Sequence, residues 1–195
     1  MSKGSYLILI LALVFFITGC TSTRPDVPTN SIPNLPVPIA RERALVTTAG
    51  QGTEGLILAK YATQLNIRNY YRHRAEPLDL QDVNSVIIAL GYSPTGLERA
   101  YMDSAQEQQR LTNLVNASHK ASKPVIMIHI GGMQRRSALN DTTATTLASK
   151  VDYLIVLADS NQDDFFTRLA DDFQLPFTQV SNLEGIKVPL NSAYR

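Results

Sequence analysis

Short apolar runs, each closed by glycine, polar or charged residues, recur along the chain from residue 44 onward. The clearest is Val125–Ile130 (VIMIHI), opened by Pro124 and ended by Gly131-Gly132 and then by Arg135 and Arg136. A continuous run rich in valine and isoleucine reads as a strand buried on both faces, the kind found in parallel sheets covered by helices. Ser85–Leu90 and Tyr153–Ala158 have the same character. Ala44–Thr48 is the first strand segment, Ile67–Tyr71 a second, weaker one and Phe177–Val180 a sixth, and Val188–Leu190 is expected to close the domain against the core or as an edge.

Between these runs the period changes. Thr53–Leu65 repeats Leu56, Ala59, Lys60 and Thr63 at helical spacing. Asp103–Ser122 reads as a helix with Asp103 as N-cap and Gln106 in the reciprocal capping-box position. Its inner face is traced imperfectly by Ala105, Gln108, Leu111, Leu114, Val115 and Ser118. Further helices are expected near Asp141–Lys150 and over Asp163–Gln174, the latter with Ser160 and Asp163 as an N-capping pattern. Gly91–Met102 is expected to be a long irregular loop.

Alternating strands and helices imply right-handed crossovers and a three-layer α/β/α fold. The sheet is expected to be mostly parallel, with five or six strands, flavodoxin-like or Rossmann-like, and the order 2-1-3-4-5 is preferred.

The first residues follow a different plan. Lys3 precedes an apolar stretch, Tyr6–Ile17, which has the length of a signal-peptide core rather than of a membrane span. Ile17-Thr18-Gly19-Cys20 resembles the lipobox of bacterial lipoproteins, which implies cleavage before Cys20 and its diacylation. A plain signal peptide or an uncleaved anchor is the alternative. Thr21, rather than an aspartate, follows the cysteine, and under the usual Gram-negative sorting rule this implies the outer membrane. Thr21–Ala40 holds five of the ten prolines (Pro25, Pro28, Pro33, Pro36 and Pro38) and reads as an extended spacer. The expected organisation is therefore a signal peptide (1–19), a lipidated cysteine with a tether (20–40) and one α/β domain (41–195).

Composition narrows the function. The chain is 44% hydrophobic and 18% charged, as in an ordinary globular core. Net charge is +1, and without Lys3 it becomes 17 Lys+Arg against 17 Asp+Glu, with no basic footprint for nucleic acid. With Cys20 the only cysteine, no internal disulfide can form.

Gly50-Gln51-Gly52-Thr53-Glu54-Gly55 matches the dinucleotide-binding spacing G-x-G-x-x-G between a strand and a helix. The acidic residue that would hold a ribose is missing from the end of the second strand, where Arg72-His73-Arg74 form a basic patch. A turn that starts the helix, presenting amides to a smaller anion, is the preferred reading, and no cofactor is expected. No G-x-S-x-G, H-E-x-x-H or C-x-x-C occurs. His129, inside a strand, reads as a core histidine satisfied by a neighbour. No catalytic residue and no metal ligand set is assigned, and an enzyme such as a hydrolase is the least supported class.

Ligands of open α/β sheets bind outside the carboxyl ends of the strands. The polar groups expected there are Thr48, Gly50, Gln51, Tyr92, Ser93, Thr95, Gly131, Gly132, Arg135 and Arg136. The arginine forks suit a carboxylate or phosphate, and Tyr92 would cover it. The segments SVIIALGYSPTGLERAYMD, KPVIMIHIGGMQRRSALND and VDYLIVLADSNQDDFFTRLADDFQLPFTQV resemble a family of secreted bacterial α/β domains of unknown function. That resemblance implies the fold and an exported location, and no activity. The expected protein is a lipid-anchored, periplasm-facing domain binding a small anionic ligand; an envelope protein-interaction module is the alternative.

Overall fold

The computed structural model describes residues 30–195; the expected leader, Cys20 and the first part of the spacer lie outside the described residues. Six strands form one parallel sheet: β1 (Ala44–Ala49), β2 (Asn69–Tyr71), β3 (Ser85–Leu90), β4 (Val125–His129), β5 (Tyr153–Leu157) and β6 (Phe177–Val180). Their order is β2-β1-β3-β4-β5-β6, the flavodoxin-like order extended by one strand. The order reverses between β1 and β3, where Ala49 pairs with Leu90.

Alternation along the buried strands feeds two cores. Leu45, Ile88, Met127 and Leu154 face one side, against α3 (Ser104–Lys120), α4 (Ala138–Ala148) and α5 (Phe165–Phe173). Val46, Ile87, Ile128 and Ile155 face the other, against α1 (Glu54–Gln64) and α6 (Lys187–Ser192). The expected three-layer α/β/α architecture is the one observed. No helix among the described residues is long and apolar enough to cross a membrane.

Local chemistry explains the helix ends. Asp103 accepts from the Gln106 N–H at 2.7 Å while Gln106 accepts from the Asp103 N–H at 2.9 Å, closing the capping box of α3. Gly91–Met102 is not an irregular loop. It contains α2 (Pro94–Arg99), which starts with proline at its first position and with Ser93 accepting from the Gly96 N–H at 3.0 Å.

Ser160 does not cap α5. It lies in a 3-10 turn, Ala158–Asn161, while the Asn161 side-chain oxygen accepts from the Phe166 N–H at 2.8 Å. Val188–Leu190 is no edge strand but part of α6, with Leu190 fully buried.

Residues 30–40, expected to be spacer, pack on the domain. Ser31 bridges Phe177 in parallel, Ile32 N–H donates to the Phe177 carbonyl at 2.8 Å, and Thr178 donates to the Ile32 carbonyl at 2.8 Å. Leu35 and Ala40 are buried in the α1–α6 core. The prolines shape this path, but its apolar residues anchor it.

Candidate functional site

The loops that leave β1 and β3 are stitched together over the switch point. Gly91 N–H donates to the Ala49 carbonyl at 2.9 Å, Ser93 N–H donates to the Gly50 carbonyl at 2.7 Å, and Gln51 pairs with Tyr92. Gly50 and Gln51 adopt positive φ of 93° and 58° to make the turn. A Cβ at Gly50 would stand 2.7 Å from Tyr92 Cα, and one at Gly96 would stand 2.2 Å from the Gln51 carbonyl oxygen. These glycines are explained by the close approach of two loops.

A buried ion pair fixes the seam from below. Glu107 and Arg110 are 4% and 6% exposed. Arg110 Nε donates to Glu107 Oε2 at 2.8 Å, and its terminal nitrogens donate to the Thr48 and Ala75 carbonyls at 2.7 and 2.6 Å. Glu107 in turn accepts from the Gly50 N–H at 2.8 Å and from Gln51 Nε2. The His73 carbonyl accepts from Thr47, Thr48 and Gln51 side chains. Every strong group is paired, so this network positions the loops. Ala105, expected on the inner face of α3, is exposed, whereas Glu107 and Arg110, which were not expected there, are buried. The available signal was spacing: 107, 111, 114 and 118 form the stricter stripe, with a charge at its first position.

The G-x-G-x-x-G loop holds the protein's own carboxylate. Glu54, in the first turn of α1, is 5% exposed and accepts from Arg135 Nε at 2.9 Å. Its other oxygen is buried without a partner, 2.1 and 2.2 Å from where Cβ atoms on Gly52 and Gly91 would stand. A negative group beside a helix N-terminus is favourable, and here the side chain supplies it where a dinucleotide would place its pyrophosphate. Arg135 is thereby engaged with Glu54, although its side chain remains 43% exposed.

Arg136 is a structural hub. Its side chain, 6% exposed, bonds Asp141 and Asp163 at 2.5 Å each and donates to the Ser160 carbonyl at 3.2 Å. Its guanidinium lies 4.7 Å from the Phe165 ring centroid. Burial lowers its pKa, but the two carboxylates outweigh that and raise it. His129 is fully buried, as expected of a core histidine. Its Nδ1 meets Ser160 Oγ at 2.8 Å, Ser160 also accepts from the Gly132 N–H at 3.0 Å, and Nε2 has no partner.

Two clefts flank the seam, and they divide the expected site residues. A cleft of about 390 Å³ takes Gln51, Ser93 and Thr95, together with Thr53, Tyr71, His73 and Arg99. A smaller pocket of about 230 Å³, on the α3–α4 side, takes Gly50 and Tyr92. Thr48 is fully buried beneath them. Gly131, Gly132, Arg135 and Arg136 line neither cleft.

In the larger cleft, Arg99 makes no ion pair or side-chain hydrogen bond among the described residues, and no carboxylate lines the walls. Burial, followed by the Glu54 carboxylate, raises the Tyr71 phenol above its ordinary range, so Tyr71 stays protonated. His73 lies in the expected basic patch, and Arg99 ends α2, in the segment expected to be a loop. Among the described residues, no group of three metal-ligating side chains is gathered.

One family matches the chain, over residues 41–194: a domain of unknown function, DUF6305. No curated protein and no solved structure matches.

Proposed function

The chain belongs to the DUF6305 family, a domain of unknown function, and from that premise we propose that it is a lipid-anchored cell-envelope protein that binds a small anionic molecule at the carboxyl ends of β1, β2 and β3. The observation that carries this reading is the lining of the larger cleft. Its walls offer Arg99 and His73 as cationic or protonatable groups, hydroxyls from Thr53, Ser93 and Thr95, and no carboxylate. Thr53 caps α1 without a side-chain hydrogen bond, leaving its hydroxyl uncommitted. Such a surface favours a carboxylate or phosphate over a cation. The binding role moves from Arg135 and Arg136, which serve internal carboxylates, to Arg99. The anchor is Cys20, acylated after removal of residues 1–19, with the domain on the periplasmic face.

Thermal unfolding of the full chain in detergent, with phosphate, sulfate, citrate and glucuronate as probes, tests the cleft. At about a hundred times the dissociation constant a true ligand adds roughly 2.7 kcal/mol. Arg99→Ala should abolish the stabilisation, and a panel in which no anion stabilises the protein would end the proposal. Mass spectrometry of the mature N-terminus tests the anchor.

A second reading, docking of an envelope protein, draws on two exposed side chains. Tyr101 is 94% exposed on backbone with φ 54°, and Leu78 is 73% exposed. Crosslinks from Tyr101 to one protein in native membranes, unaffected by Arg99→Ala, would favour it.

A further inference from the structure

We propose that the free edge of β2 and the anion cleft form one site for a short extended peptide, which runs parallel to β2 and ends with its C-terminal carboxylate at Arg99. This deepens the anion-binding reading and rests on it. The first ground is the sheet edge. β2 pairs only with β1, whereas the opposite edge strand, β6, is met by Ser31. Ala44 N–H donates to the Arg68 carbonyl and Arg72 N–H to the Val46 carbonyl, each at 2.9 Å. That register turns the N–H and C=O of Asn69 and Tyr71 outward. Among the described residues no hydrogen bond reaches these four groups. A row of alternating donors and acceptors selects another extended backbone.

The second ground is a groove that follows this edge into the cleft. Successive residues of a strand point to opposite faces. A groove of about 510 Å³ that is lined continuously by residues 70–74 therefore tracks the edge itself. The 3-10 turn Pro77–Leu80 walls its other side, where the exposed Leu78 offers apolar surface to a peptide side chain. Tyr71 and His73 line both this groove and the anion cleft, so the two spaces adjoin. A peptide parallel to β2 delivers its carboxylate to the carboxyl end of the strand, where Arg99 and the Thr53, Ser93 and Thr95 hydroxyls stand. An antiparallel one would press its ammonium terminus against Arg99.

Charge decides where the anionic group lies and argues against a second copy as occupant. Arg68, Arg72 and Arg74 are met by Glu42, Asp79 and Glu76, so the edge is balanced and the uncompensated cation is Arg99. The peptide body is accordingly neutral and its charge sits at the end. Two copies of β2 paired about Tyr70, the middle of the strand, would set Arg68 of one against Arg72 of the other, twice. Both arginines are largely exposed, and like charges directly opposite are destabilising. A strand of three residues flanked by arginines resists self-pairing and leaves its outward groups open to a peptide.

Calorimetry and amide NMR on the full chain in detergent test the site, with N-acetylvaline and the acetylated pentapeptide Ser-Thr-Val-Thr-Val as probes. The pentapeptide acid should bind about tenfold more tightly than N-acetylvaline, the ratio expected for two edge hydrogen bonds. It should shift the Asn69 and Tyr71 backbone amide signals saturably. Its C-terminal amide should bind more weakly, and Arg99→Ala should bring the acid down to the level of that amide. Asn69→Pro removes an outward N–H that the sheet does not use and should reduce the pentapeptide to the affinity of N-acetylvaline. Methylating the amide nitrogens of the second and fourth peptide residues, against the third and fifth, should cost the gain in one set and spare it in the other. A pentapeptide no tighter than N-acetylvaline, or equal effects of the two methylated sets, would overturn the proposal. So would indifference to amidation, or a dimer in sedimentation that Asn69→Pro dissolves, which would put a second copy on the edge. In any of these cases, stabilisation by phosphate or citrate would leave the anion cleft standing without the peptide; if no anion binds either, both readings fall.

Discussion

Burial at the end of β4 holds the His129 imidazole well below its ordinary range, at about 4, through desolvation first and repulsion from Arg136 second. Between that value and the unfolded value of about 6.5, the unfolded chain binds a proton that the folded chain refuses. Stability is therefore complete above the unfolded value and falls as pH drops through the window, by about 3 kcal/mol at its foot. The Asp163 carboxyl, pulled down chiefly by its bond to Arg136, acts with the same sign but only at pH values below the ordinary aspartate range. Urea unfolding at pH 7 and pH 4.5 should show the loss, and His129→Gln should flatten it. A wild-type curve unchanged between those pH values would contradict the buried, neutral state.

The same residues show what a sequence does and does not disclose. His129 reads correctly as a core histidine because its neighbours in the strand are all apolar. The fates of Arg135 and Arg136 do not read from sequence, because Glu54 lies far back in the chain and Asp163 belongs to another crossover.

Elements defined by local chemistry were legible in the sequence. β3 and β6 have their expected limits, and the Asp103–Gln106 cap starts α3 where the residues say it should. α2 was hidden because proline and glycine, loop markers elsewhere, here open a short helix and let it touch the Gln51 carbonyl. The seam between the β1 and β3 loops is a tertiary contact with no periodic trace.

Residues 30–40 carry a proline density that reads as spacer, while Ile32, Leu35 and Ala40, which pack on the domain, are dispersed too thinly to signal burial. Their docking pairs the outer edge of β6 at Phe177, whose backbone groups would otherwise be free to other chains. A protein beginning at residue 41 should lose the burial of Leu35, about 1.5–3 kcal/mol, and several hydrogen bonds at about 1 kcal/mol each. Its denaturation midpoint should fall well below that of residues 30–195, with increased light scattering. Equal midpoints would mean that residues 30–40 contribute nothing to the fold.

At the scale of the whole molecule, the entry of the chain and the clefts lie at opposite ends of the strands. Ser31 meets Phe177, the first residue of β6, whereas both clefts are built from loops that follow the carboxyl ends of β1 and β3. The nine residues from Thr21 to Thr29 span at most about 30 Å when fully extended. If Cys20 carries the lipid, as proposed, the amino ends of the strands sit nearer the bilayer and the clefts open away from it. The chain's single cysteine makes this testable, since its thiol is consumed by acylation. A fluorophore on Lys150→Cys, in the turn that precedes β5, should be quenched by nitroxide lipids in vesicles more strongly than one on Tyr101→Cys. Equal quenching would indicate free tumbling on the tether, and stronger quenching at position 101 would invert the orientation. An outward-facing cleft suits a ligand or partner arriving from the aqueous side, and a lipid headgroup of the same bilayer would be poorly placed to reach Arg99.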